Sequence, residues 1–217
     1  ELILTNKEQY ISGFPEFLKK FLHENKDYFF LNHSMGKGGV SNQITLNALK
    51  LIGNEIKEKI KVDYFIPAIG NGSSVLGPGQ ELDCKVIAFE TFQSAVTYDK
   101  KYPGQYEKQF GILPGTLPRH QLPGTSFQGI DFPHINQALK TIIDEVVLVT
   151  SNTMENNYNT LTNKHTTLLH WDVNLPLVSK YGRTTKAGLV VALDLAKKES
   201  KKTIVILAYD KAKRYDN

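Results

Sequence analysis

Four short stretches of this chain are apolar at both odd and even positions: VDYFIPAIG at 62–70, KVIAFE at 85–90, EVVLVT at 145–150 and TIVILAY at 203–209. A strand with one wet face alternates apolar and polar residues, so continuous apolar runs of this length belong to strands covered on both faces. Helical patterns lie between them. Residues 41–60 place Ile44, Leu46, Leu49, Leu51, Ile52 and Ile56 at helical spacing behind Ser41, a residue type that caps helices, and GLVVALDLAKK at 188–198 is rich in alanine and leucine. Strands alternating with helices predict an α/β fold, a parallel sheet flanked by helices.

The remaining segments are less regular. Gly13–Asn25 has Phe14, Phe17, Leu18, Phe21 and Leu22 on one side and lysines opposite, which predicts a short amphipathic helix, and YFFL at 28–31 reads as a strand entering the glycine loop MGKGG. Residues 97–134 hold most of the prolines and many glycines and read as a long irregular excursion, of the kind that is usually functional when it interrupts a compact domain. A helix is predicted near 135–142 and another from about Thr153.

Composition narrows the function classes. At 217 residues and 41% apolar content the chain can bury a true core, and 26 basic against 22 acidic residues are well mixed, with Lys-Lys pairs that carry no interleaved aromatics. That pattern describes solvated helix faces and no nucleic-acid groove. No run approaches the ~18 apolar residues of a membrane span, so no membrane partner is expected and a soluble cytoplasmic protein is. A single cysteine, Cys84, excludes an intrachain disulfide and, beside a predicted strand, reads as an inert thiol. The six histidines show no pair at ligand spacing, so no metal site is expected; His120 and His134 are the two that fall in the long excursion.

The chemistry concentrates after the first buried strand. Gly70, Asn71, Gly72, Ser73 and Ser74 follow Ile69 in a row, more small and polar residues than a strand-to-helix turn needs. Such a turn bares successive N–H groups toward an anion at the carboxyl end of a strand. A dinucleotide needs G-x-G-x-x-G and an acidic residue about 20 positions on. Gly70, Gly72 and Glu90 fit, but Val75 stands where the third glycine belongs. A single phosphate places no such demand.

From about His33 onward the chain resembles the second half of the cysteine synthase-like, fold type II pyridoxal-phosphate enzymes, a group that includes tryptophan synthase β chains. VDYFIPAIGNGSSVLGPG is similar to their strand, phosphate loop and helix, and KVIAFETFQSAV to their next strand and its continuation. HQLPGTSFQGIDF, TIIDEVVLVTSNTM and YGRTTKAGLVVALDLAKK resemble, in order, their glycine-rich loop, their later strand with its helix, and their serine-rich turn with its alanine-rich helix. The resemblance implies that residues 1–32 are a remnant of a small domain and 33–217 the large cofactor-binding α/β domain. It implies pyridoxal phosphate as cofactor, with Gly70, Asn71, Gly72, Ser73 and Ser74 cradling the phosphate, Gly124 and Thr125 along the pyridine ring, and Thr184 or Thr185 offering a hydroxyl to the pyridine nitrogen.

By the same resemblance the activity would be β-replacement or β-elimination on a small amino-acid substrate, lyase or transferase chemistry. The family's Schiff-base lysine lies in its first half, and no segment here matches it, so a truncated chain is expected, working as a homodimer or with a complementing N-terminal chain. Lys37 and Lys186 are the nearest substitutes by neighbourhood and read as solvated. Three departures, the short helix with Pro78 and the bulky Arg183 and Lys186, leave room for a degenerate relative that only binds a partner or a small phosphate ligand.

Overall fold

The computed structural model describes residues 2–6, 13–28, 30–117, 122, 125, 131–150, 152, 178 and 180–214. Among them lie helices α1 (Gly13–Glu24), α2 (Gln43–Lys59), α3 (Ser73–Gly79), α4 (Val96–Lys101), α5 (Gln105–Phe110), α6 (Pro133–Thr141) and α7 (Arg183–Ala196). Strands β1 (Tyr64–Ile66), β2 (Lys85–Thr91), β3 (Glu145–Val149) and β4 (Ile204–Ile206) pair in the order β3-β2-β1-β4, every pair parallel.

Alternation along the strands sends successive side chains to two buried faces, which is why the strand interiors are apolar at odd and even positions alike and polar residues fall at the ends of the runs. Phe65, Val86, Ala88 and Val146 pack with Leu46 of α2, Val75 and Leu76 of α3, and Ile135 and Ala138 of α6. Ile66, Ile87, Phe89 and Val149 face the other way, onto Ala187, Leu189, Val190 and Leu193 of α7. Burying a side chain of this size contributes roughly 1.5–3 kcal/mol.

Several sequence expectations need correction. The nine-residue run at 62–70 yields a strand of three, because Pro67 has no N–H to give the ladder. The chain stays beside β2 all the same: the Pro67 carbonyl accepts from Phe89 N–H at 3.0 Å, and Ile69 N–H donates to the Phe89 carbonyl at 2.8 Å. The cap of α2 is Asn42 and not Ser41. Asn42 Oδ1 accepts from Thr45 N–H at 3.1 Å, while Ser41 Oγ donates to Gln137 of α6 at 2.7 Å. Tyr28, Phe30 and Leu31 form no strand. The excursion at 97–134 begins with two short helices, α4 and α5, where irregular chain was expected. The helix expected from Thr153 lies outside the described residues.

Two close approaches hold α3 against α2. A Cβ on Gly53 would stand 2.5 Å from the Pro78 carbonyl, and one on Gly77 would stand 2.6 Å from Leu49 Cβ. The two helices touch through these glycines, so the seven residues of α3 are pressed onto α2 and its first turn is fixed at the end of β1.

Candidate functional site

The strand order locates the site before any side chain is considered. From β1 the chain moves to β2 and then β3 on one side, and it returns to the opposite side of β1 with β4. The helix after β1 lies on one face of the sheet and α7, which leads to β4, on the other. The carboxyl ends of β1 and β4 are therefore the switch point of the sheet, beside the crevice where sheets of this kind hold ligands.

The turn Gly70–Ser74 forms the β1 side of that crevice. Asn71 Oδ1 accepts from Ser73 N–H at 2.9 Å and from Ser73 Oγ at 2.7 Å, and Asn71 Nδ2 donates to Ser34 Oγ at 2.9 Å. The asparagine thus folds the turn on itself and ties it to the loop before α2. Gly72 has φ of +90°, and a Cβ there would stand 2.5 Å from Ile135 N in the first turn of α6. Both the handedness and the close approach require glycine. The N-cap residue Gly72 offers α3 no side chain, and the N–H groups of Asn71, Gly72 and Ser74 take no partner among the described residues. The arrangement can offer several backbone donors and the Ser74 hydroxyl to one small anion.

The β4 side of the crevice carries a residue that the sequence reading passed over. Tyr209 reaches back across it: its phenol oxygen accepts from Ala68 N–H at 2.8 Å. Burial of the phenol pushes its pKa up to about 12. Its own N–H donates to Thr185 Oγ1 at 2.9 Å, which fastens the segment after β4 to the first turn of α7. No local pattern announces Tyr209; its partners lie far away in the chain.

The other residues singled out from the sequence fall around this crevice in different ways. Thr184 and Thr185 are both buried in the first turn of α7, with the Thr185 hydroxyl engaged by Tyr209. Thr125 is buried and donates through Oγ1 to the Leu122 carbonyl at 2.7 Å, while Gly124 and His120 lie outside the described residues. Lys37 is exposed in a 3-10 turn, and Lys186 is half-buried on α7. His134, wholly buried at the start of α6, accepts from Asn42 N–H through Nε2 at 2.8 Å, so its proton sits on Nδ1, which is buried without a partner. Burial holds this imidazole below its ordinary pKa. Glu90, 1% exposed, accepts from Thr97 N–H at 3.1 Å and Tyr98 N–H at 2.8 Å. It caps α4, so the carboxylate that a dinucleotide ribose would need is engaged elsewhere. The Cys84 thiol is pushed up to about 11 by burial and by the neighbouring Asp144 and Asp83, far from a reactive thiolate.

Among the described residues no group of three metal-ligating side chains occurs, and no helix is long and apolar enough to cross a membrane. No protein-family model and no curated protein matches the sequence. Solved structures do. A cysteine synthase from Entamoeba histolytica superposes with a TM-score of 0.72 at 22% identity over 100% of this chain and 56% of its own. An O-acetylserine-dependent cystathionine β-synthase from Helicobacter pylori gives 0.70 at 18% identity over 98% of this chain and 60% of its own. A hydrogen sulfide-producing enzyme from Fusobacterium nucleatum gives 0.63 at 19% identity, covering 100% and 57%. The likeness is one of fold: a parallel α/β sheet flanked by helices is common to all, and the chain spans a little over half the length of these enzymes.

Proposed function

We propose that this chain is the phosphate-binding part of a pyridoxal-phosphate-dependent enzyme that replaces or eliminates a β-substituent on a small amino acid. The observation that carries the reading is the unpartnered set of donors in the Gly70–Ser74 turn, at the crevice of a sheet whose fold is that of a cysteine synthase. The residues fit the phosphate end of such a cofactor. Asn71 fixes the shape of the turn, Gly72 lets it approach α6, and Ser74 adds a hydroxyl to the backbone donors. Pyridoxal phosphate, when bound, supplies the electron withdrawal at the α-carbon that lets a β-substituent leave.

This chain's own part is binding and orientation. The turn fixes the phosphate, and Thr184 and Thr185 bring hydroxyl groups to the α7 side of the crevice. Exclusion of water falls to the apolar residues beneath, Ile66, Phe89 and Leu122. In this reading the amine that attaches the cofactor comes from a further segment or a complementing chain, and the protein works as a homodimer or with that chain. The exposed Ile44, Leu51 and Ile52 on α2 are in keeping with a covering partner.

A second reading, a non-catalytic relative that keeps the turn for a small phosphate ligand, is favoured by the Tyr209 phenol lying in the crevice. An absorbance titration of the purified full-length protein with pyridoxal phosphate separates the two. A visible band that borohydride abolishes supports the enzyme. Saturable binding of the cofactor without such a band supports the binding protein.

A further inference from the structure

The charge of this chain is not spread evenly. Residues 180–186 and 209–217 hold six basic and two acidic residues, against 20 and 20 in the rest of the chain, so the whole net charge of +4 resides in these two segments. They run side by side. Gly182 N–H donates to the Asp210 carbonyl at 2.8 Å, Ala212 N–H donates to the Lys180 carbonyl at 2.9 Å, and Tyr181 and Lys211 form an antiparallel bridge. Tyr209 fastens them to the crevice: its N–H donates to Thr185 Oγ1 at 2.9 Å, and its phenol accepts from Ala68 N–H at 2.8 Å, just before the glycine turn. Lys180, Arg183, Lys211, Lys213 and Arg214 are exposed and Lys186 is half-buried, with Asp210 answering Arg214 at 3.5 Å. The β1 side supplies no counter-charge. Residues 67–80 contain no charged side chain, and the loop at 32–42, which Asn71 grips through Ser34, carries Lys37 and no acid.

Resting on the phosphate reading above, we propose that the paired segments 180–186 and 209–214 are a steering surface, which draws a phosphate dianion toward the Gly70–Ser74 turn without holding it there. Exposed cations act through water over about 10 Å at 0.1 M salt, so they raise the rate of encounter with an anion. How long the anion stays is set by the turn, whose N–H groups touch it. The two walls of the crevice thus divide the work: the β4 side governs arrival and the β1 side governs departure.

The test follows binding to the full-length protein by rapid mixing. Pyridoxine phosphate, which has no aldehyde to react with lysines, is the probe, and pyridoxine, which lacks the phosphate, is its control. The triple variant Lys180→Gln, Lys211→Gln, Lys213→Gln should bind pyridoxine phosphate about tenfold more slowly at low salt, with its dissociation rate unchanged. At about 1 M salt, where screening shortens to about 3 Å, the two proteins should agree within about twofold. A second triple variant, Lys57→Gln, Lys59→Gln, Lys198→Gln, removes the same charge from exposed positions where α2 and α7 end, at the amino end of the sheet. It should leave the association rate within about twofold of the unmodified protein.

Equal slowing by both triple variants, no slowing by either, or a change confined to dissociation overturns the inference and leaves the phosphate reading intact. Should the first triple variant fail to fold, the unmodified protein decides: an association rate that does not fall with salt, or falls as much for pyridoxine, overturns the inference. An unmodified protein that binds no pyridoxine phosphate overturns the phosphate reading and the inference together.

Discussion

The turns that follow β1 and β2 face the same physical problem and solve it in opposite ways. Each leads from a buried strand into a short helix whose first N–H groups have no intrahelical acceptor. After β2 the solution is internal. Glu90 turns its carboxylate onto Thr97 N–H and Tyr98 N–H, Ser94 Oγ joins at 3.3 Å, and the start of α4 is satisfied by a buried anion of the protein's own. After β1 no carboxylate plays that part. Asn71 takes Ser73 N–H, and the donors around it are left facing the crevice. Two neighbouring strand ends in one sheet therefore separate structure from function: where the chain supplies its own anion the turn is scaffold, and where it does not the turn can receive one.

Substitutions at the two turns should separate cleanly. The largest effect is expected from Gly72→Ala. A Cβ would meet the Ile135 backbone at 2.5 Å in a left-handed conformation, so the turn must move. Overpacking and backbone strain together should remove about 3 kcal/mol of stability in urea unfolding and abolish phosphate binding.

Glu90→Gln comes next. Replacing the buried carboxylate with an amide should lower stability by about 2–3 kcal/mol while leaving phosphate affinity unchanged, which calorimetry on the folded variant would check. A loss of affinity there would break the contrast between the two turns. Asn71→Ala should cost about 1 kcal/mol, the usual worth of a short side chain holding backbone donors, and weaken phosphate binding severalfold.

The smallest effect concerns pH. His134 is neutral in the fold and held below its ordinary pKa by burial, so its contribution to stability is present above the unfolded value of 6.5 and is lost as pH falls below it. Protonation would also remove Nε2 as acceptor for Asn42 N–H, loosening the start of α2 and the loop that Asn71 grips through Ser34. Unfolding midpoints measured between pH 7.5 and 5 should fall for the native chain, and a variant His134→Gln should flatten that slope.

What could be seen in the sequence followed from burial, and what could not followed from distance along the chain. The buried strands were visible because both their faces are covered, and α1, α6 and α7 because their spacing is helical. Their ends were less visible. Pro67 cut the β1 ladder short, and Asn42, one residue from the expected cap, won because its side chain reaches Thr45 N–H while Ser41 is drawn to Gln137. Helices α4 and α5 hide in a stretch that looks irregular because each is six residues long and α5 is bounded by left-handed Gly104 and Gly111. The glycine turn was legible from five adjacent residues. Tyr209 was not, since its partner Ala68 stands 141 residues earlier and only the sheet order brings them together.

The most direct measurement is an amide nitrogen–proton NMR titration of the full-length protein with inorganic phosphate. If the turn after β1 is the one left open for an anion, the signals of Asn71, Gly72 and Ser74 will shift together and saturate, and those of Thr97 and Tyr98 will stay in place. Shifts at Thr97 and Tyr98, or none at the three turn residues, would contradict the account.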